Sequence, residues 1–375
     1  MVEQTDGDVL IVKLALEKKL ITQQQVDQCK DLAKKSKKIG LEASIEEILV
    51  KQGIVSQDQL DDLKDMCQLA EGGTVFGMYR LGTLIGQGGM GKVYEAVHEI
   101  MGRSVAIKVI NAQITDDKNN ATRFIQEIRA LSKLNHPNIV TIFDGGKINR
   151  RHYFAMELLP GPSLKDYVDS KKILGEKEAL RIIRATAKAL GHAHAKNVVH
   201  RDVKPENIIF DCNGVPKLTD FGLVMHHDVD HMSLTQEGAW VGSYYYISPE
   251  QVDGRRDIDG RSDIYALGAT LYYALTGRTA YTGNSPQELL AKHLSGRLVS
   301  PKRHSPHISR GTVRLVKKMM AVNREKRYQT MEAVVDAIDN PPRLQRILSI
   351  AGLTLVGTLL LFLGMLLERL VIILK

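Results

Sequence analysis

The chain has 375 residues, enough for one large or two ordinary domains that each bury a core. Apolar residues at 43% and charged residues at 25% describe a globular protein and exclude a disordered or fibrous one. The net charge of +8 is uneven, since residues 1–75 hold ten Lys/Arg against fourteen Asp/Glu and residues 76–340 hold 37 against 28. No basic run is interleaved with aromatics, so no nucleic-acid role is expected. Cys29, Cys67 and Cys212 show no C-x-x-C spacing, which argues against a disulfide framework or structural zinc and fits a reducing cytosol.

The N-terminus is acidic and lacks an apolar core, so no cleavable signal peptide is expected. Residues 1–70 repeat at a spacing of 34, with Leu20-Ile21-Thr22-Gln23-Gln24-Gln25-Val26-Asp27 aligning on Ile54-Val55-Ser56-Gln57-Asp58-Gln59-Leu60-Asp61. Each copy reads as a helix, a turn and a second helix capped by Thr22 or Ser56, with Gln25 or Gln59 completing a capping box. Leu10, Ile11 and Leu14, and again Ile45, Ile48 and Leu49, give each first helix an apolar face. The layout resembles the N-terminal domains of secretion and pilus-assembly ATPases, some of which bind cyclic dinucleotides. Nucleotide-binding versions open each copy with Arg-Leu-Gly, whereas the second copy here has Ser44-Ile45-Glu46. A protein-interaction module is therefore expected. Residues 71–77 form a linker marked by Gly72 and Gly73.

From Tyr79 the pattern becomes β-type. Gly86, Gly88 and Gly91 form a G-x-G-x-x-G run between two strand-like segments; a dinucleotide turn would need a helix after the glycines, and here a strand follows. Val105-Ala106-Ile107-Lys108 reads as another strand. A helix is predicted over 121–134, with Phe124, Ile128 and Leu131 on its packed face and Glu127 beside them. Phe154 to Leu159 begins as a strand. His200-Arg201-Asp202-Val203-Lys204-Pro205-Glu206-Asn207, followed by Asp220-Phe221-Gly222, then gathers a carboxylate base, a lysine and two oxygen-bearing metal ligands within a short span. Moving a γ-phosphoryl group from ATP to a hydroxyl needs that set.

These motifs resemble those of the eukaryotic-like (Hanks-type) serine/threonine protein kinases also found in bacteria. The resemblance implies an α+β, two-lobed protein kinase fold over residues 78–340, with a β-rich small lobe and a helical large lobe. ATP is the implied phosphoryl donor, with Mg2+ (Mn2+ can replace it) as the metal and proteins as acceptors. Ile85, Gly86, Gly88 and Gly91 would cover the nucleotide. Val93, Ala106 and Ile209 would sandwich the adenine, Met156 would guard the back of its pocket, and the main chain of Glu157 and Leu159 would bond the purine. Lys108, steadied by Glu127, would reach the α- and β-phosphates. Asp202 would orient or accept the hydroxyl proton, Lys204 would offset charge on the phosphoryl in flight, and Asn207 and Asp220 would hold the metal. Lys204 two residues after Asp202 implies serine or threonine acceptors.

Further along, Ser243 would bond Asp202 and shape the acceptor pocket, and Ser248 stands where the family has alanine. Glu250 would pair with Arg327, and Asp263 would anchor the catalytic loop. Arg201 implies a phosphate on the activation segment, at Ser233 or, as first choice, Thr235, placed there by autophosphorylation. Two other readings share part of the pattern. A pseudokinase scaffold would show damage at Lys108, Asp202, Asn207 or Asp220, and none is damaged. A small-molecule kinase would lack the Ser-Pro-Glu element and Arg327.

Ile347 to Leu367 runs without a charge, the length of helix that crosses a bilayer core of about 30 Å. Arg343 and Arg346 precede it, which predicts a single-pass membrane protein with the kinase domain cytoplasmic and only Glu368 to Lys375 beyond the span. Input would come through the N-terminal module, the span, or formation of a homodimer.

Overall fold

The computed structural model describes residues 6–17, 20–38, 44–57, 59–60, 63, 75–88, 91–111, 118–148, 151–221 and 243–341. The expected span over 347–367, Ser233, Thr235 and the side chain of Ser243 lie outside the described residues. Among the described residues no helix is long and apolar enough to cross a membrane. Contacts group the chain into two compact units, Met1–Asn135 with Val140–Leu159, and His136–Ile139 with Pro160–Lys375.

The first unit opens with helices α1 (Asp6–Glu17), α2 (Gln23–Lys38) and α3 (Ile45–Lys51). Thr22 caps α2: its amide donates to Gln25 Oε1 at 2.8 Å and its hydroxyl accepts from the Gln25 amide at 3.3 Å. Ser56 and Gln59 repeat the pair at 2.8 and 3.1 Å. Such reciprocal bonds satisfy two amides that a helix start leaves without partners. The core repeats as well. Ile11, Ala15, Ile21, Val26 and Cys29 are buried with Ile45, Leu49, Val55, Leu60 and Leu63, each 34 residues on.

The same unit carries an antiparallel sheet of β1 (Val75–Phe76), β2 (Tyr79–Gly88), β3 (Gly91–His98), β4 (Ser104–Ile110), β5 (Ile142–Ile148) and β6 (Arg151–Glu157), in the order β1-β2-β3-β4-β6-β5. Strand β1 falls inside the segment read as a linker, because Val75 and Phe76 pair with Arg80 and Tyr79 across a tight turn. Tyr94, Ala96, Val105, Ile107, Val109, Tyr153 and Ala155 alternate onto one face and close a core with Phe76, Tyr79 and Leu81. Helix α4 (Lys118–Leu131) packs against β5. It starts and ends three residues earlier than the periodicity predicts, because the chain turns after Leu131 and the Leu134 amide reaches back to the Leu131 carbonyl.

The second unit is mainly helical: α5 (Leu164–Lys171), α6 (Glu176–His194), the ribbon of β7 (Ile208–Phe210) and β8 (Pro216–Leu218), then α7 (Pro249–Val252), α8 (Gly260–Thr276), α9 (Pro286–Ser295), α10 (Arg310–Met319) and α11 (Met331–Asp339). Helix α8 is buried on every side from Ser262 to Thr276, as expected of an element at the centre of a core. It stops at Gly277, whose φ is 65° and where a Cβ would stand 2.2 Å from the Lys172 carbonyl oxygen.

Candidate active site

Strands β2 and β3 form the glycine hairpin, with Gly86 opposite Val93 and Gly88 opposite Gly91; a register shift between Leu84 and Gly86 lets the turn arch. Gly91 has a φ of 154°, and a Cβ there would lie 2.0 Å from the Val109 carbonyl oxygen, so only glycine fits. Ile85 is exposed, and Val93 is half-buried. The register places Val93 opposite Lys108, Lys108 opposite Phe154 and Ala106 opposite Met156. Since opposed residues share a face and alternate residues return to it, Val93, Ala106, Lys108 and Met156 lie on one face of the sheet. That face is the reverse of the one that closes the unit's core.

Lys108 is buried with 6% exposure. Glu127 is half-buried on α4, on the same unit. At the end of β6 the Glu157 amide donates to the Thr141 carbonyl at 2.9 Å. Leu159 follows, half-buried.

The second unit holds the remaining expected residues. Asp202 is the focus of a short loop: Lys204 Nζ donates to its Oδ2 at 2.7 Å and Asn207 Nδ2 to the same oxygen at 3.1 Å. Asn207 Nδ2 also donates to the Asp202 carbonyl at 2.8 Å, which fixes the amide and turns its Oδ1 the other way. The Asn207 carbonyl accepts from the Thr219 amide at 2.9 Å, tying the loop to the start of Asp220-Phe221. Ile209 is half-buried on β7.

Asp263 holds this loop from below. Its Oδ1 accepts from the Arg201 amide at 2.8 Å, and its Oδ2 from the His200 amide at 2.9 Å and from His194 Nε2 at 2.7 Å. Burial pushes the Asp263 carboxyl up, but the bond to His194, that imidazole's charge and the His200 amide outweigh it and hold the group below the ordinary carboxylate range. His200 is fully enclosed. Its Nδ1 accepts from the Asp202 amide at 3.2 Å while Nε2 lies 2.9 Å from the Thr219 carbonyl, a pattern that requires the neutral Nε2–H tautomer. Burial depresses its pKa and agrees with that state. Phe221 packs on the His200 ring at 4.5 Å between centroids.

Glu250 and Arg327 are joined by two parallel bonds of 2.6 and 2.7 Å. Ser262 adds a third bond to Glu250, and the Ala321, Val322 and Arg261 carbonyls take the other guanidinium donors.

Several features of the site carry no signal in the sequence. Arg201 and Asp220 adopt φ of 66° and 52°, strain that marks residues aimed by their surroundings. His194 reaches Asp263 across 69 positions, and Gln251 Nε2 donates to the Arg201 carbonyl at 2.9 Å. Glu206, inside the loop motif itself, is half-buried with its carboxyl pushed up by burial.

The protein kinase domain family matches residues 79–337. The serine/threonine-protein kinase PrkC of Bacillus subtilis is 38% identical over 261 residues, covering 70% of this chain and 40% of its own. The serine/threonine-protein kinase PknB of Mycobacterium tuberculosis is 35% identical over 285 residues, covering 74% and 45%. The chain thus spans less than half the length of these curated relatives. The crystal structure of the Mycobacterium tuberculosis PknI kinase domain shares the fold with a TM-score of 0.57 at 24% identity, covering 72% of this chain and 99% of that one.

Proposed function

The chain belongs to the protein kinase family, and from that premise we propose that it is an ATP-dependent protein serine/threonine kinase held at a membrane. The observation that carries this reading is the Asp202 carboxylate, with one oxygen engaged by both Lys204 and Asn207. The substrate hydroxyl then meets the other oxygen, Oδ1, which orients the nucleophile and takes its proton. Lys204 stands beside the base, where its ammonium offsets charge on the phosphoryl group in transit. Lys108 would bind the nucleotide's α- and β-phosphates with Glu127 steadying it, and the face made by Val93, Ala106 and Met156 would take the adenine with Ile209. Because the Glu157 amide already serves Thr141, purine contact there falls to the Glu157 carbonyl, with the Leu159 amide beyond it.

The donor set suits magnesium. Asn207 Oδ1 and the Asp220 carboxylate are hard oxygen ligands. Two protein ligands suffice where phosphate and water oxygens complete the shell. Bound Mg2+, or Mn2+ in its place, supplies offsetting positive charge along the triphosphate.

The wider reading adds regulation and location. Arg201 would receive a phosphate on Thr235 or Ser233, placed by autophosphorylation, and Ser243 would line the acceptor pocket. Residues 347–367 would anchor the protein with its kinase domain, residues 78–340, in the cytoplasm; residues 1–70 would bind a protein partner, and a homodimer would allow phosphorylation in trans. Labelled ATP with a generic basic protein tests the core of this. Asp202→Asn is expected to lower transfer by about 10²- to 10⁴-fold. No transfer to protein by the natural chain, with Asp202→Ala indistinguishable from it, would instead leave a pseudokinase scaffold. Phosphopeptide mapping of fully active enzyme should find Thr235 modified; an unmodified Thr235 would reject that regulatory step.

A further inference from the structure

Residues 289–324 contain nine Lys/Arg and neither Asp nor Glu. The structure sorts these cations. Lys292 is held by Glu288 and the Thr282 carbonyl, and Arg324 by Asp257. Among the described residues Lys302, Arg303, Arg310 and Lys317 form no ion pair, and all four are exposed. On α10, Arg310, Arg314, Lys317 and Lys318 recur at i, i+4, i+7 and i+8, so they share the outer face, while Thr312, Leu315, Val316 and Met319 are buried. Two carboxylates near this helix are engaged elsewhere. Glu176 accepts from the Ser309 amide at 2.9 Å and from the Thr312 hydroxyl, and Asp339 is clamped by Arg184 at 2.7 Å. Among the described residues, every charged side chain of α10 itself is a cation.

The course of the chain says what that face meets. Pro341 is the last described residue, and its ring stands 3.8 Å from where a Cβ on Gly311 would lie, so the chain departs beside the first turn of α10. Five residues, 342–346, then separate it from the uncharged run that begins at Ile347, and two of them are Arg343 and Arg346. Fully extended they reach at most about 18 Å. If the run enters a bilayer, the α10 face starts within reach of its surface.

We propose that the exposed α10 face, with Lys302 and Arg303, is a docking surface for anionic lipid headgroups that lays the second unit against the membrane. The proposal rests on the anchor reading given above. Clusters of this size next to a span bind acidic lipids because each cation gains a counter-charge near the surface. A nucleic acid offers similar charge, but the Lys318 ammonium stands 4.2 Å from the centroid of the neighbouring Tyr328 ring and takes one of the faces on which a base would stack. Nor does a nucleic acid explain the nearby exit of an apolar segment.

The full chain, placed in vesicles of phosphatidylcholine alone or of phosphatidylcholine with phosphatidylglycerol, gives the test. Acylation of Lys302, Lys317 and Lys318 by a water-soluble reagent is followed by peptide mass spectrometry, with exposed Lys51 as reference. These lysines should react about fivefold more slowly, or slower still, in the anionic vesicles. High salt, or Arg314→Glu with Lys317→Glu, should abolish the difference and leave phosphorylation of a soluble protein intact. Equal rates in both vesicles, with the chain resisting alkaline extraction, would overturn the docking surface and leave the anchor standing. A chain stripped from both vesicles by alkali would overturn anchor and docking surface together. Protection by duplex RNA but not by phosphatidylglycerol would overturn the lipid assignment in favour of a nucleic-acid face.

Discussion

Arg327 is enclosed completely and meets Glu250 through parallel bonds, so removing either charge strands the other. Glu250→Ala is expected to cost about 3–5 kcal/mol, read as a lowered urea midpoint, with soluble yield falling in step. Burial alone would raise the Glu250 carboxyl, but the Arg327 and Ser262 bonds and the Arg327 charge hold it below the ordinary value. His293 makes a different statement about pH. It is buried between Tyr265, 2.8 Å from its Nδ1, and the Tyr281 ring, and burial lowers its pKa from 6.5 to about 4. As pH falls the unfolded chain binds that proton first. The stabilisation is therefore complete above 6.5 and drains away between 6.5 and about 4, by roughly 3 kcal/mol. Urea midpoints across that range should fall less steeply in His293→Phe than in the natural protein. The Glu250–Arg327 pair was legible because its two motifs name it. The three hydrogen bonds that Asp263 accepts from His194, His200 and Arg201 were only half legible, since an ordinary histidine such as His194 gives no hint of a partner 69 residues away.

At the scale of elements, the clearest signals were those that concern two or three neighbouring residues. The Thr22–Gln25 and Ser56–Gln59 boxes formed as their spacing suggests, because a helix start brings a hydroxyl and an amide three residues apart within bonding reach. Thr22→Ala and Ser56→Ala should each cost about 1 kcal/mol, visible as a lower thermal midpoint. The end of α4 misled the periodicity, because Leu134 continues the apolar spacing while the backbone has already turned. Spacing reports which face is buried and says little about where hydrogen bonding stops. The backbone strain at Arg201 and Asp220 was illegible for a related reason: a positive φ at a residue other than glycine is imposed by tertiary contacts, and no local preference announces it.

Over the whole molecule, the motifs carried the resemblance to the family, whereas location rests on residues 347–367 and regulation on residues 233 and 235, beyond what the structure describes. Deleting residues 1–70 is expected to leave phosphoryl transfer to a generic protein within about twofold while changing autophosphorylation or partner choice. The premise is that their core, Ile11 through Leu63, closes on itself and shares no member with the core of the β-sheet. An insoluble truncation would mean that the sheet needs those helices to fold.

That closed core is built as matched halves, and this has a consequence for any chain shortened to one of them. With the second copy removed, Ile21, Val26 and Cys29 would lose the covering that Ile45, Leu49 and Leu63 help supply. Two such shortened chains could restore it by packing their remaining halves together, so the singleton should populate a homodimer whose share rises with concentration, while the natural tandem makes the same pairing within one molecule.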